Sequence, residues 1–166
     1  MKRGFALTII CVVLLCCSLV GCQFRSLPSV TYTQQCFQEN KEDVLVVVNY
    51  LVNSKYADVF IRDSYVNNAQ CEMLADLEIV CISDPKVCMA LKSLLERDFY
   101  KTISKSGNTI NFLQWSNSFG VSCGVAYSIN GKDLPDIQFG TEVIALSDKA
   151  WYYYIDDYNM WRSLKE

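Results

Sequence analysis

From Phe99 onward the apolar residues of this chain fall at every second position, and that change of period decides the fold class. The run FYKTISKSGNTINFLQW, residues 99–115, alternates on either side of Ser106-Gly107-Asn108, as a β-hairpin does when a glycine-containing turn joins two half-buried strands. GVSCGVAYSINGKD, residues 120–133, adds a strand that runs into Asn130-Gly131, a pair suited to the left-handed backbone of a tight turn. Thr141 to Leu146 and Trp151 to Asp156 read as further strands.

Upstream the period is helical. Val44, Val47, Val48 and Leu51 recur at helix spacing behind Asn40, a capping residue, with Glu42 and Asp43 in the first turn where the helix dipole favours acids. Valine has strand propensity, so pattern and propensity disagree here; the pattern predicts a helix. Tyr56 to Arg62 and Glu72 to Ile82 read as strands. Ser83-Asp84-Pro85 then opens a second helix, capped by Ser83 or Asp84, with Val87, Leu91, Leu94 and Leu95 on one face. Ser83 and Lys86 also spell the SxxK of penicillin-binding enzymes, but a helix cap accounts for the serine and the accompanying SDN and KTG elements are missing. Strands in runs, not interleaved with helices, predict an α+β domain over residues 36–166: an antiparallel meander packed against about two helices.

The first residues, MKRGFALTIICVVLLCCSLVGC, have the basic, apolar and small-residue regions of a secretory signal. The apolar run is slightly shorter than the roughly 20 residues that a spanning helix needs. Leu19-Val20-Gly21-Cys22 at its end resembles the lipobox of bacterial lipoproteins, which implies a signal peptide over 1–21 and acyl chains on Cys22. An uncleaved anchor and a plain secreted chain are the other readings. Two acyl chains would hold stably at a membrane, at about 0.8 kcal/mol per buried methylene. Residues 22–35, polar and with one proline, read as the lipidated cysteine and a tether.

Removing Lys2 and Arg3 leaves 13 basic groups against 18 acidic ones, a net charge of −5 without a basic stripe, so nucleic acid is not an expected partner. The chain has no histidine, which excludes Ser-His-Asp and Cys-His catalysis, histidine-ligated zinc and imidazole pH switching. Beyond Cys22 stand Cys36, Cys71, Cys81, Cys88 and Cys123, an odd number whose spacing matches neither a zinc site nor a redox motif. Cys88 and Cys123 lie in apolar stretches and read as small core residues; a Cys71–Cys81 bridge rests on proximity alone. No metal, cofactor or catalytic residue is expected.

The helix, the SGNTINFLQW hairpin, the YSINGK turn and the terminal WYYYIDDYNMWR together resemble small lipoproteins of Gram-positive, Firmicutes-type bacteria, over most of residues 36–165. The resemblance implies a similar fold and a cell-surface location, and carries no activity with it.

Alternation along Trp151 to Asp156 puts Trp151, Tyr153 and Ile155 on a core face and Tyr152, Tyr154 and Asp156 on the other. That second face reads either as the flank of a terminal core strand or as an exposed platform of Tyr152, Tyr154 and Tyr158 joined by Trp115, with rings suited to sugar or peptide contacts. Tyr158 and Trp161 would close over the sheet edge, and Asp156 and Asp157 would sit where the strand ends, outside any calcium-loop pattern. The function this predicts is a lipid-anchored module on the extracytoplasmic face of the cell membrane, binding a protein or a glycan. A protective, immunity-like lipoprotein that occupies a toxin or enzyme is the alternative. A carboxylate-based hydrolase drawing on Asp133, Asp136, Glu142, Asp156 and Asp157 is the weaker third.

Overall fold

The computed structural model describes residues 27–67, 70–96 and 99–164; the expected signal peptide over 1–21 and Cys22 lie outside the described residues. Helix α1 (Val30–Glu39) starts where Ser29 Oγ accepts the Tyr32 amide at 3.2 Å. The expected tether over 22–35 is therefore corrected: its last six positions are helical and the domain begins before Cys36. The apolar stripe is short, being only Thr33, Cys36 and Phe37, but these lie at i, i+3 and i+4 and all three are buried. Thr33 Oγ1 donates to Gln114 Oε1 at 2.7 Å, so a polar residue on a polar-looking segment still anchors it to the sheet.

Helix α2 (Lys41–Asn53) buries Val44, Val47, Val48 and Leu51, as the period requires. Asn40 precedes it, but its side chain turns back and donates to Cys36 O at 2.8 Å, closing α1 instead of capping α2. Strand β1 (Val59–Arg62) and the single turn α3 (Asp63–Val66) follow. The expected strand over 72–82 is a hairpin, β2 (Glu72–Ala75) and β3 (Glu78–Cys81), folded at Asp76 and Leu77. Both turn residues have positive φ, 46° and 71°, without a glycine to signal it. Helix α4 (Pro85–Glu96) begins where Asp84 Oδ1 accepts the amides of Lys86 at 2.8 Å and Val87 at 3.4 Å.

Then come β4 (Thr102–Ser106), β5 (Thr109–Ser116), β6 (Val121–Ser128), β7 (Gly140–Ala145), β8 (Trp151–Asp157) and the terminal turn of helix α5 (Tyr158–Ser163). All neighbours are antiparallel in one eight-stranded sheet of order β3-β2-β1-β4-β5-β6-β8-β7. The fold is α+β, a sheet with helices packed on it. It departs from a plain meander at two places: β4 returns past the β2–β3 hairpin to pair with β1, and β8 inserts between β6 and β7. Among the described residues no helix is long and apolar enough to cross a membrane.

The core lies on one face of the sheet, where Phe37, Leu51, Leu91 and Leu94 of the helices meet Ile103, Ile110, Phe112 and Tyr153 of the strands. Trp151 is at its centre, 4.5 Å from the Phe37 ring and 4.9 Å from Tyr127. Tyr100 is also fully buried, edge-on to Phe112 at 5.4 Å, and its hydroxyl has no hydrogen-bond partner. Burial holds that phenol well above its usual range, so it is a neutral, desolvated O–H. Tyr100→Phe should therefore leave stability unchanged or raise it by about 1 kcal/mol, read from urea unfolding; a loss of that size would reveal a hydrogen bond to this hydroxyl.

Candidate polar cleft on the open face of the sheet

Strand β6 alternates large and small residues. Cys123, Val125 and Tyr127 point to the helices, while Ser122, Gly124, Ala126 and Ser128 point the other way. Four small side chains in a row leave a trough along the middle of the sheet's second face. Its walls come from the neighbouring strands. Asn111 and Leu113 of β5 stand on one side, while Tyr152, Tyr154 and Asp156 of β8 stand on the other, in register across β6: Asn111↔Ala126↔Tyr152, Leu113↔Gly124↔Tyr154 and Ser122↔Asp156.

The loop from β6 to β7 closes the trough from above. Because β7 lies beyond β8, residues 129–139 must cross to the far side, and they are fixed on the way. Asn130 Oδ1 accepts the amides of Lys132 at 3.0 Å and Asp133 at 3.2 Å, and the Asp136 amide donates to Thr109 Oγ1 at 2.8 Å. The result is a cleft of about 590 Å³, bounded by Thr102, Ser104, Asn111, Ser122, Tyr154 and Asp156 and roofed by Asp136, Ile137 and Gln138. That volume is in the range of small-molecule sites, roughly 300–1,000 Å³. Among the described residues its lining holds two carboxylates and no lysine or arginine.

Two oxygens in this wall are buried without a hydrogen-bond partner, Asn111 Oδ1 and Asp156 Oδ1. Loss of water around Asp156, and then the neighbouring charge of Asp157, push its carboxyl above the usual carboxylate range. Burial, with smaller contributions from Cys123 and Asp156, keeps the Tyr154 phenol protonated and far above its usual range. Both are acceptors or donors held out of water in a polar hollow.

Comparison of the chain with protein-family models, curated proteins and solved structures gave no match.

The structure does not assemble the expected aromatic platform, and the reasons are local. Register shifts between Leu113 and Trp115, so that Trp115 pairs with Cys123 and packs against the core from the helix side. Tyr154 is on the second face as alternation requires, but it is only 4% exposed because the cleft wall and roof enclose it. Tyr152 is half-buried one row along, between Ala126 and Ala145. Tyr158 is 44% exposed, and belongs to a separate cluster with Phe139 at 5.0 Å and Trp161 stacked at 6.3 Å, at the β7 end of the sheet.

The five candidate acids also part company. Asp136 and Asp156 share the cleft. Asp157 caps α5 by accepting the Met160 amide at 3.0 Å, Asp133 accepts from Asn130 Nδ2 at 2.6 Å, and Glu142 is exposed on the β7 edge strand. Asn111 was not a sequence candidate, although the alternation of small residues in VSCGVAYS is a signal that marks a trough beside it.

Proposed function

We propose that this protein is a lipid-anchored envelope lipoprotein, of the kind found in Gram-positive bacteria, whose cleft binds a small neutral ligand rich in hydroxyl donors, such as a unit of a glycan. The observation that carries the reading is the pair of unpartnered acceptors, Asn111 Oδ1 and Asp156 Oδ1, in the wall of one polar hollow. A buried oxygen without a donor costs about 1–3 kcal/mol, and such groups concentrate where a ligand supplies the missing partner. Sugar hydroxyls would do so, and the surrounding serine and threonine hydroxyls can both give and accept. The described residues of the lining include no cation to hold a phosphate or carboxylate, and the polar walls do not suit an acyl chain.

The point where the described chain enters the domain is compatible with surface display. Tyr153, on the helix face, donates its hydroxyl to Pro28 O at 3.0 Å, so the chain joins the domain on the side away from the cleft. From Cys22 to Pro28 an extended chain reaches at most roughly 20 Å. A lipid on Cys22 would hold the helical side near the membrane and leave the cleft facing outward.

Asn111→Leu and Asp156→Leu test the proposal with two readouts. Binding of cell-wall oligosaccharides by calorimetry should fall at least about tenfold, since a site loses roughly that for one unmatched hydrogen bond. Thermal stability should hold or rise, because each change removes a desolvated acceptor. Binding that is unchanged, or lost only in step with unfolding, overturns the reading. Capture of a single stoichiometric protein with no glycan affinity would favour the immunity-like alternative.

Asp156 adds a pH signature. Its folded-state pKa is raised, so the folded protein holds this proton more tightly than the unfolded chain. Stability should therefore increase as pH falls from the raised value toward the ordinary carboxylate value, and decrease as pH rises through the same window. Asp156→Asn should flatten that slope in urea titrations across acidic pH, and a slope of unchanged size would place the titrating group elsewhere.

A further inference from the structure

Cys71 and Cys88 meet around one residue. Cys71 immediately precedes β2, and its carbonyl accepts the Ile82 amide at 2.8 Å. Cys88, in the first turns of α4, donates its thiol to the Ile82 carbonyl at 3.3 Å. Ile82 thus holds both cysteines, one through its amide and one through its carbonyl, and both side chains pack half-buried against the core. Cys81, the neighbour that sequence proximity offers as partner, is turned away. It lies opposite Glu72 in the β2–β3 pair, and its exposed thiol is directed at Gln70 Oε1 at 3.3 Å. Cys36 on α1 and Cys123 on β6 lie elsewhere, both buried.

We propose that Cys71 and Cys88 are a disulfide-forming pair. Each thiol gives up one proton and together they give up two electrons; the Sγ–Sγ bond forms while a disulfide oxidant, such as glutathione disulfide, is reduced to two thiols. The bond closes a ring that contains the β2–β3 hairpin and the α4 cap, and so fastens the sheet's outer edge to the helical layer. That edge has little else to hold it. β3 is a four-residue edge strand whose side chains are almost all exposed, and Leu77 at the hairpin tip is 93% exposed. A cross-link acts by restricting the unfolded chain as well as by holding this edge. An extracytoplasmic location would supply the oxidising conditions in which such bonds persist, but the pairing itself depends on neither that location nor the cleft.

The Cys71 thiol is pushed up to about 12, by burial first and then by its hydrogen bond and proximity to Cys88. It is therefore not a reactive nucleophile at neutral pH, and oxidation should accelerate as pH rises because the thiolate is the attacking species.

The test uses the full-length protein, reduced and then equilibrated with glutathione and glutathione disulfide over a range of ratios. Free thiols are alkylated, and the product is cut with trypsin and a glutamate-specific protease, since Lys86 separates Cys88 from the others and Glu72 and Glu78 separate Cys71 from Cys81. The expected result is a linked Cys71–Cys88 peptide pair with Cys36, Cys81 and Cys123 alkylated. The oxidised protein should melt on the order of 10 °C above the reduced one. Cys88→Ser should abolish that difference. A Cys71–Cys81 link, or Cys71 and Cys88 both still alkylated in the most oxidising mixture, overturns the proposal, and neither reading requires a variant that folds.

Discussion

Lys105→Met should lower the free energy of unfolding by about 3 kcal/mol, since it removes an ammonium donor shared by the carbonyls of Leu51, Ser54 and Tyr56. Lys105 is in β4 with its side chain on the helix face, and it is only 8% exposed. Its ammonium donates to Leu51 O at 2.9 Å and Tyr56 O at 2.8 Å, with Ser54 Oγ and O at 3.3 and 3.4 Å. These are the last carbonyls of α2 and of the segment leaving it. A helix C-terminus carries partial negative charge and several carbonyls without intrahelical donors, so one buried cation satisfies both needs. Methionine matches the stem but supplies no donor. Urea unfolding measures the loss, and because the pair is buried the loss should change little between low and high salt. A difference below about 1 kcal/mol would mean that water reaches these carbonyls when the ammonium is gone.

Lys105 also marks a limit of sequence reading. In TISKSG it looks like an ordinary polar residue of a hairpin, yet alternation puts it on the same face as Ile103. The pattern names the face without saying what lies over it. The same limit explains Tyr154, which alternation correctly separates from Trp151 and Tyr153, but whose burial depends on a loop that crosses from β6 to β7. That crossing follows from the insertion of β8, and strand order leaves no trace in local periodicity. The helices α2 and α4 and the β4–β5 hairpin were legible because their signals are local: a valine or leucine stripe, an Asp84 cap, a Gly107 turn with φ 54°. Helix α1 was missed because its buried stripe is Thr33, Cys36 and Phe37, too polar and too short to stand out from a tether. The β2–β3 turn was missed because Leu77 adopts a left-handed conformation that glycine or asparagine normally announces.

Gly124→Val should cost more than about 3 kcal/mol, at the upper end for overpacking, and should disturb the cleft together with the fold. A Cβ on Gly124 would overlap the main chain of β5, at the carbonyl of Phe112 and the amide of Gln114. Backbone is in the way, so no rotamer change relieves it. The close approach belongs to the irregularity between Leu113 and Trp115, where β5 bends over β6. That bend turns Trp115 toward the core and keeps the row Leu113, Gly124, Tyr154 open along the trough. Forcing the strands apart at Gly124 removes the reason for the bulge, and a one-residue slip of register moves side chains to the opposite face. Two measurements should therefore change together: the urea midpoint should fall, and Trp115 emission, isolated in a background of Trp151→Phe and Trp161→Phe, should shift to the red as the ring leaves the core. The milder Gly124→Ala should move both in the same direction by less. If the midpoint falls while Trp115 stays protected, the glycine is needed for strand packing alone, and the bulge that separates Trp115 from the cleft is set by Gln114 and its hydrogen bond to Thr33.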